Sequence, residues 1–194
     1  EDVSAKLLIP RPTTDAELLA YVEHVLGVRI PSTCVCPGHS SPAAALCDAF
    51  FARSPVVVWK GSRGFAGKTF LMGVLAWVSA LTLRANVNIL GGSGEQSKRV
   101  HEYLQEFWKG PRVPLGALAS DPTLIRTRLV WGNKVSALMA SQTAVSGPHP
   151  QRLLCDEVDI FDLGILDQAL GQPMSKDGVE AGVVLSSAHY HADG

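Results

Sequence analysis

The chain has 194 residues, 46% apolar and 18% charged, which suits one well-buried α/β domain and excludes a disordered polyelectrolyte. A net charge of −1 gives no global pull toward nucleic acid or membrane, so a polyanion partner has to be met by a local patch. Cys34, Cys36, Cys47 and Cys155 show no repeated pairing, and the N-terminal residues lack the pattern of a secretory leader, so reduced thiols are expected.

In chain order, Thr14-Asp15-Ala16-Glu17 reads as a capping box that opens a helix with Leu18, Leu19, Val22, Val25 and Leu26 on one face, closed by Gly27. A loop rich in Pro, Gly, Ser and Cys runs from Val28 to Ser41. Within it Cys34, Cys36 and His39, with Cys47 downstream, leave a zinc site open as an alternative, although the Cys-x-Cys spacing is shorter than closed structural sites use. A short helix is expected from Pro42 to Phe51. Pro55 to Trp59 reads as a strand whose unbroken apolar run suits a central parallel strand covered on both faces.

A Gly-rich loop and a helix from Lys68 to Leu83 follow, the latter too short and too interrupted for the ~20 residues of a membrane span. Val87–Leu90 is a second strand and Glu95–Trp108 a second amphipathic helix, with Val100, Tyr103, Leu104 and Phe107 toward the core. Leu124–Ala140 has the pattern of a hairpin turning at Gly132-Asn133. Arg152–Cys155 is a buried strand ending in Asp156-Glu157, and Gly182–Leu185 is a last strand leading to Ser186-Ser187-Ala188. The chain opens without methionine and stops just past a strand, so it reads as part of a longer protein.

The loop between the first strand and its helix carries the chemistry. Ser62-Arg63-Gly64-Phe65-Ala66-Gly67-Lys68-Thr69 has the strand, glycine loop and Gly-Lys-Thr helix start of a P-loop, with Ser62 where a first glycine is usual. Such glycines let backbone amides converge on phosphate at a helix N-terminus. Lys68 would bridge the β- and γ-phosphates of ATP, and Thr69 with Asp156 would hold Mg²⁺. Glu157 would orient or deprotonate the attacking water. A glutamate directly after that aspartate is typical of the RecA-like branch, which inserts a strand between the two motif strands. The expected fold is therefore an α/β P-loop NTPase with a mostly parallel central sheet flanked by helices and an added hairpin. One domain spans 1–194, with an N-terminal helical segment 1–50 and a nucleotide-binding core 51–194.

The order and spacing of these motifs resemble the N-terminal ATPase domain of the large terminase subunit, the motor that packages DNA into tailed-phage heads. The likeness rests on the arginine-containing loop Ser62–Thr69, on Gly92-Ser93 with a helix opening at Glu95-Gln96-Ser97, on the hairpin, on Leu-Leu-Cys-Asp-Glu, and on Ser186-Ser187-Ala188. The resemblance implies that Arg63 senses the γ-phosphate and that Ser187, with Ser186, couples its presence to DNA movement. It also implies that His39 and Pro42 line the adenine. The implied partners are double-stranded DNA, a portal protein, a small terminase subunit and further copies in a ring, with a monomer in isolation and no membrane. The implied place is the host cytoplasm at the procapsid portal vertex, and the family's nuclease domain has no room here. Such rings take an arginine from a neighbouring subunit. The usual place before the loop glycine holds Ser146-Gly147, which leaves Arg112, Arg126, Arg128 and Arg152 as candidates, while Lys98, Arg99, Lys109 and Arg112 could form a basic surface. A helicase-like ATPase would share every motif residue, and a nucleotide-dependent assembly module without turnover is the reading from another class.

Overall fold

The computed structural model describes residues 8–34, 37–62, 67–141 and 149–188. Six strands form one sheet: β1 (Val56–Gly61), β2 (Val87–Gly91), β3 (Arg126–Arg128), β4 (Lys134–Met139), β5 (Arg152–Asp156) and β6 (Gly182–Ala188), in the spatial order β1-β6-β5-β2-β4-β3. Every pairing is parallel except the β3–β4 hairpin. The helices are α1 (Asp15–Leu26), α2 (Pro42–Phe50), α3 (Lys68–Thr82), α4 (Gly94–Phe107) and α5 (Leu163–Leu170).

Handedness explains the layering. The chain moves across the sheet in one direction from β1 through α3 to β2 and through α4 to β4. It then returns past β2 to β5 and through α5 to β6. Right-handed crossovers made in opposite directions put their helices on opposite faces. The packing agrees, with one cluster joining Trp59, Val87, Ile89, Val135, Leu154 and Val184 to α1–α4, and the other joining Leu90, Leu153, Cys155 and Val183 to Phe161 and Ala169. α3 is buried from Leu71 through Thr82, so its apolar run is that of a helix covered on all sides. No described helix is long and apolar enough to cross a membrane.

Several expectations change in detail. β1 is an edge strand among the described residues rather than a central one: Trp59 is buried, but Val56 and Val58 are 44% and 61% exposed. An apolar run reports what a strand can bury, not what covers it. The inserted strand is β6, which separates β1 from β5 and extends to Ala188, so both serines lie inside a strand that pairs with β1 through Gly61. Thr14 accepts from Glu17 N–H as a cap should, yet the Glu17 carboxylate binds the Thr13 N–H and hydroxyl instead of closing the box on Thr14. Tyr103 is 38% exposed and packs edge-on to Phe70, leaving Val100, Leu104 and Phe107 as the buried face of α4.

Candidate functional site

In an open α/β sheet the crevice beyond the strands' carboxyl ends is where ligands bind. Here Gly61, Gly91, Asp156 and Ala188 end β1, β2, β5 and β6 on that side. α3 starts at the same place, behind Gly67 in the left-handed region (φ 60°, ψ 21°), and has no side-chain cap on its N-terminus. Lys68 Nζ donates to Gly61 O at 2.8 Å and to Ser62 O at 3.3 Å, so it lies back over the carbonyls that lead into the loop. Thr69 Oγ1 donates to Asp156 Oδ2 at 3.0 Å, across 87 residues of sequence. Asp156 is only 4% exposed, and Ser62, Gly67, Lys68, Thr69 and Asp156 are thus gathered at one corner. Arg63, Gly64, Phe65 and Ala66, and also Ser146 and Gly147, lie outside the described residues.

Glu157 has φ 56° and ψ 53°, a left-handed conformation that a non-glycine residue adopts only when its surroundings hold it there. One such hold is Gln96, whose Nε2 donates to Glu157 Oε2. The same amide closes the capping box of α4: Gln96 Oε1 accepts from Ser93 N at 2.8 Å while Ser93 Oγ accepts from Gln96 N. Gly91 makes this approach possible, because a Cβ there would stand 2.4 Å from Ser97 N.

The serines of β6 divide. Side chains alternate along a strand, and Val184 faces the α3 side while Val183 faces the α5 side, so Ser186 points toward α3 and Ser187 away from it. Ser186 is 0% exposed, and its Oγ has no hydrogen-bond partner among the described residues. Ser187 Oγ donates to Asp159 Oδ1. The two carboxylates after Glu157 therefore differ: Asp162 caps α5 through Gly164 N and Ile165 N, whereas Asp159 reaches back to β6.

The other expected residues are not hydrogen-bonded to this corner among the described residues. His39 is exposed just past the turn at Pro37-Gly38, where its carbonyl accepts from Cys34 Sγ at 2.6 Å, and Pro42 is the first residue of α2 behind the Ser41 cap. None of the hydrogen bonds that join Lys68, Thr69 and Asp156 reaches either. Cys47 is buried in α2, where burial pushes its thiol up to about 11, and Cys36 lies outside the described residues. Arg152 is excluded as an arginine offered to a neighbour. It is 3% exposed at the opposite end of β5 from Asp156, and its guanidinium donates to Glu180 O and, at 2.8 Å, to Phe50 O. Arg126 and Arg128 are on β3, at the far edge of the sheet. Lys98 on α4 and Lys109 just past its end are paired with Glu95 and Glu106, and Arg99 shares with Thr69 a cleft of about 480 Å³ that Glu102, Tyr103, Gln105 and Glu106 complete. α4 therefore presents both signs of charge rather than a basic stripe.

The architecture is a mixed α/β one, a six-stranded, mostly parallel sheet flanked by helices, and the candidate site lies at the carboxyl ends of β1, β5 and β6. It is similar to the crystal structure of the HK97 bacteriophage large terminase, with a TM-score of 0.64 at 15% sequence identity over 91% of this chain. The match spans 38% of that protein's length. No protein-family model and no curated protein matches the chain.

Proposed function

We propose that this chain is an ATP-hydrolysing motor domain of the terminase kind, coupling hydrolysis to movement of double-stranded DNA. The observation that carries the reading is the bond from Thr69 at the start of α3 to Asp156 at the end of β5, beside Lys68 and next to Glu157. The donor set suits Mg·ATP: a hydroxyl and a buried carboxylate 3.0 Å apart are hard oxygen ligands, and Lys68 rests on carbonyls that phosphate oxygens can replace. Thr69 and Asp156 would hold the magnesium, which when bound neutralises charge on the phosphates. Lys68 and the loop Ser62–Ala66 with Gly67 would bind the phosphates, with Arg63 as the sensor of the γ-phosphate. Glu157 would take the proton of the attacking water.

The likeness to a phage large terminase supports a packaging-motor role for this corner. By that reading the working form is a ring at the procapsid portal in the host cytoplasm, with DNA, portal protein and small terminase subunit as partners, and His39 and Pro42 lie toward the base. Ser186, buried on the α3 side, is the better placed of the two serines to meet the phosphate. An arginine supplied in trans is worth roughly a thousandfold in turnover, so the isolated chain should hydrolyse ATP slowly.

The test is nucleotide binding and single-turnover hydrolysis of wild type, Lys68→Ala and Glu157→Gln. The expected pattern is lost binding in the first variant and retained binding with hydrolysis reduced at least a hundredfold in the second. Glu157→Gln turning over like wild type would overturn the assignment. Arg63→Ala should keep binding and lose most hydrolysis.

A further inference from the structure

Asp159 makes two hydrogen bonds for which the hydrolysis chemistry has no use. Its Oδ1 accepts from Ser187 Oγ, and its Oδ2 accepts from Ala188 N–H at 3.4 Å. One carboxylate thus spans the last two residues of β6. Together with its neighbours it completes a pattern: Asp156 holds Thr69 of α3, Glu157 holds Gln96 of α4, and Asp159 holds Ser187 of β6. Acids within a single turn tie down the elements around the corner.

The backbone between them needs that support. Glu157 is left-handed, and Asp159 lies on the 3-10 turn Val158–Ile160 that follows directly. Upstream the turn is fixed by β5, where Asp156 pairs with Gly91. Downstream, Ile160 lies over Gly92, where an added Cβ would stand 2.5 Å from its Cδ1. Among the described residues the hydrogen bonds that join the turn to β6 are those of Asp159, beside the packing of Val158 on the cluster that holds Val183, and charge-assisted hydrogen bonds are the stronger kind.

We propose that Asp159 is a positioning residue, which by bridging Ser187 and the Ala188 amide fixes the backbone carrying Glu157 and makes the base and the end of β6 move as one unit. The inference rests on the ATPase reading above, since its consequence is a rate. It gives the two serines separate tasks, Ser186 toward the phosphate corner and Ser187 toward the turn that carries the base.

The test is single-turnover hydrolysis, with the chain in excess so that slow turnover is read, alongside Mg·ATP affinity and a melting curve. Asp159→Ala is expected to lower the rate about tenfold or more, with affinity within about twofold of wild type and a cooperative melt retained. Asp159→Asn, which keeps an oxygen for one of the two donors, should recover part of that loss. Ser187→Ala should lower the rate less, and the double variant Asp159→Ala/Ser187→Ala should fall no further than Asp159→Ala alone, because both act through one bridge. A wild-type rate in Asp159→Ala overturns the proposal, as does a parallel loss of rate, affinity and cooperative melting, which marks a merely structural residue. Absence of Mg·ATP binding by the wild type, or a wild-type rate in Glu157→Gln, overturns the ATPase reading and this proposal with it.

Discussion

Gln96 Nε2 donates to Glu157 Oε2 while Gln96 Oε1 accepts from Ser93 N–H, so a single amide both closes the N-terminus of α4 and holds the carboxylate beside Asp156. Stability and rate should therefore respond to it separately. Gln96→Ala removes half a capping box, worth about 1 kcal/mol, and should lower Tm by about 2–4 °C. The same change frees Glu157, so hydrolysis should fall while Mg·ATP affinity stays. Gln96→Glu sets a second carboxylate against the first and should lower both Tm and rate further. Calorimetry beside a turnover assay reads both, and a Gln96→Ala rate equal to wild type would show that the amide only caps the helix.

Arg152 should prove structural. Burial pushes its guanidinium down to about 10, and its donors satisfy the carbonyls of Phe50 and Glu180, which tie the end of α2 and the approach to β6 onto the start of β5. Arg152→Met leaves those carbonyls without a donor, at about 1–3 kcal/mol each, and a Tm loss on the order of 10 °C is expected. Arg152→Lys should recover little, since one ammonium cannot reproduce a planar fork. A normal melt with defective hydrolysis only in mixed oligomers would instead restore Arg152 as an arginine offered to a neighbour.

What was legible in the sequence was whatever depends on near neighbours. The first strand, the buried helix that opens at Lys68, the turn at Gly132-Asn133 and the apolar strand ending at Asp156 all follow from local periodicity and turn chemistry. Strand order followed only in part: a strand between the two motif strands was expected, but that β6 is the one that enters is set by its long-range pairing with β1 and β5, which leaves no mark on β6 itself. Ser186 and Ser187 resembled a strand's end because small polar residues often finish one, yet the ladder with β1 carries the strand past them. Gln96 and Asp159 were missed as site residues for another reason. The Ser93-x-x-Gln96 spacing could at most mark a cap; the partner that gives Gln96 its second task is 61 residues away, and the partner of Asp159 is 28 away. No local pattern encodes either distance.

Two glycines three positions apart should behave in opposite ways. A Cβ on Gly91 meets Ser97 N at 2.4 Å and Gln96 Cβ and Ser93 O at 2.9 Å, all at the α4 N-terminus, whereas a Cβ on Gly94 has nothing within 4 Å. Gly91→Ala should cost about 1–3 kcal/mol by overpacking and, by displacing Gln96, slow hydrolysis as Gln96→Ala does. Gly94→Ala should be neutral or stabilise by up to about 1 kcal/mol through a less flexible unfolded chain. Paired denaturant melts decide it, and equal effects at the two positions would contradict the close approach.

His101 should set part of the acid stability. It is fully buried on α4, Thr127 Oγ1 of β3 lies 3.1 Å from its Nε2, and burial pushes its pKa down from 6.5 to about 4. The unfolded chain therefore binds a proton near pH 6.5 that the folded chain refuses until about pH 4. Its contribution is fully present above the unfolded value and is lost as the pH falls through that window, reaching about 3 kcal/mol at the acid end. His101→Gln keeps an amide for Thr127 without the titration, so it should melt somewhat lower than wild type at pH 7.5. Between pH 6.5 and 4.5 its Tm should fall less steeply, and the two curves should converge or cross. Parallel Tm curves across that range would show that the imidazole is not held neutral and that other groups set the acid limit.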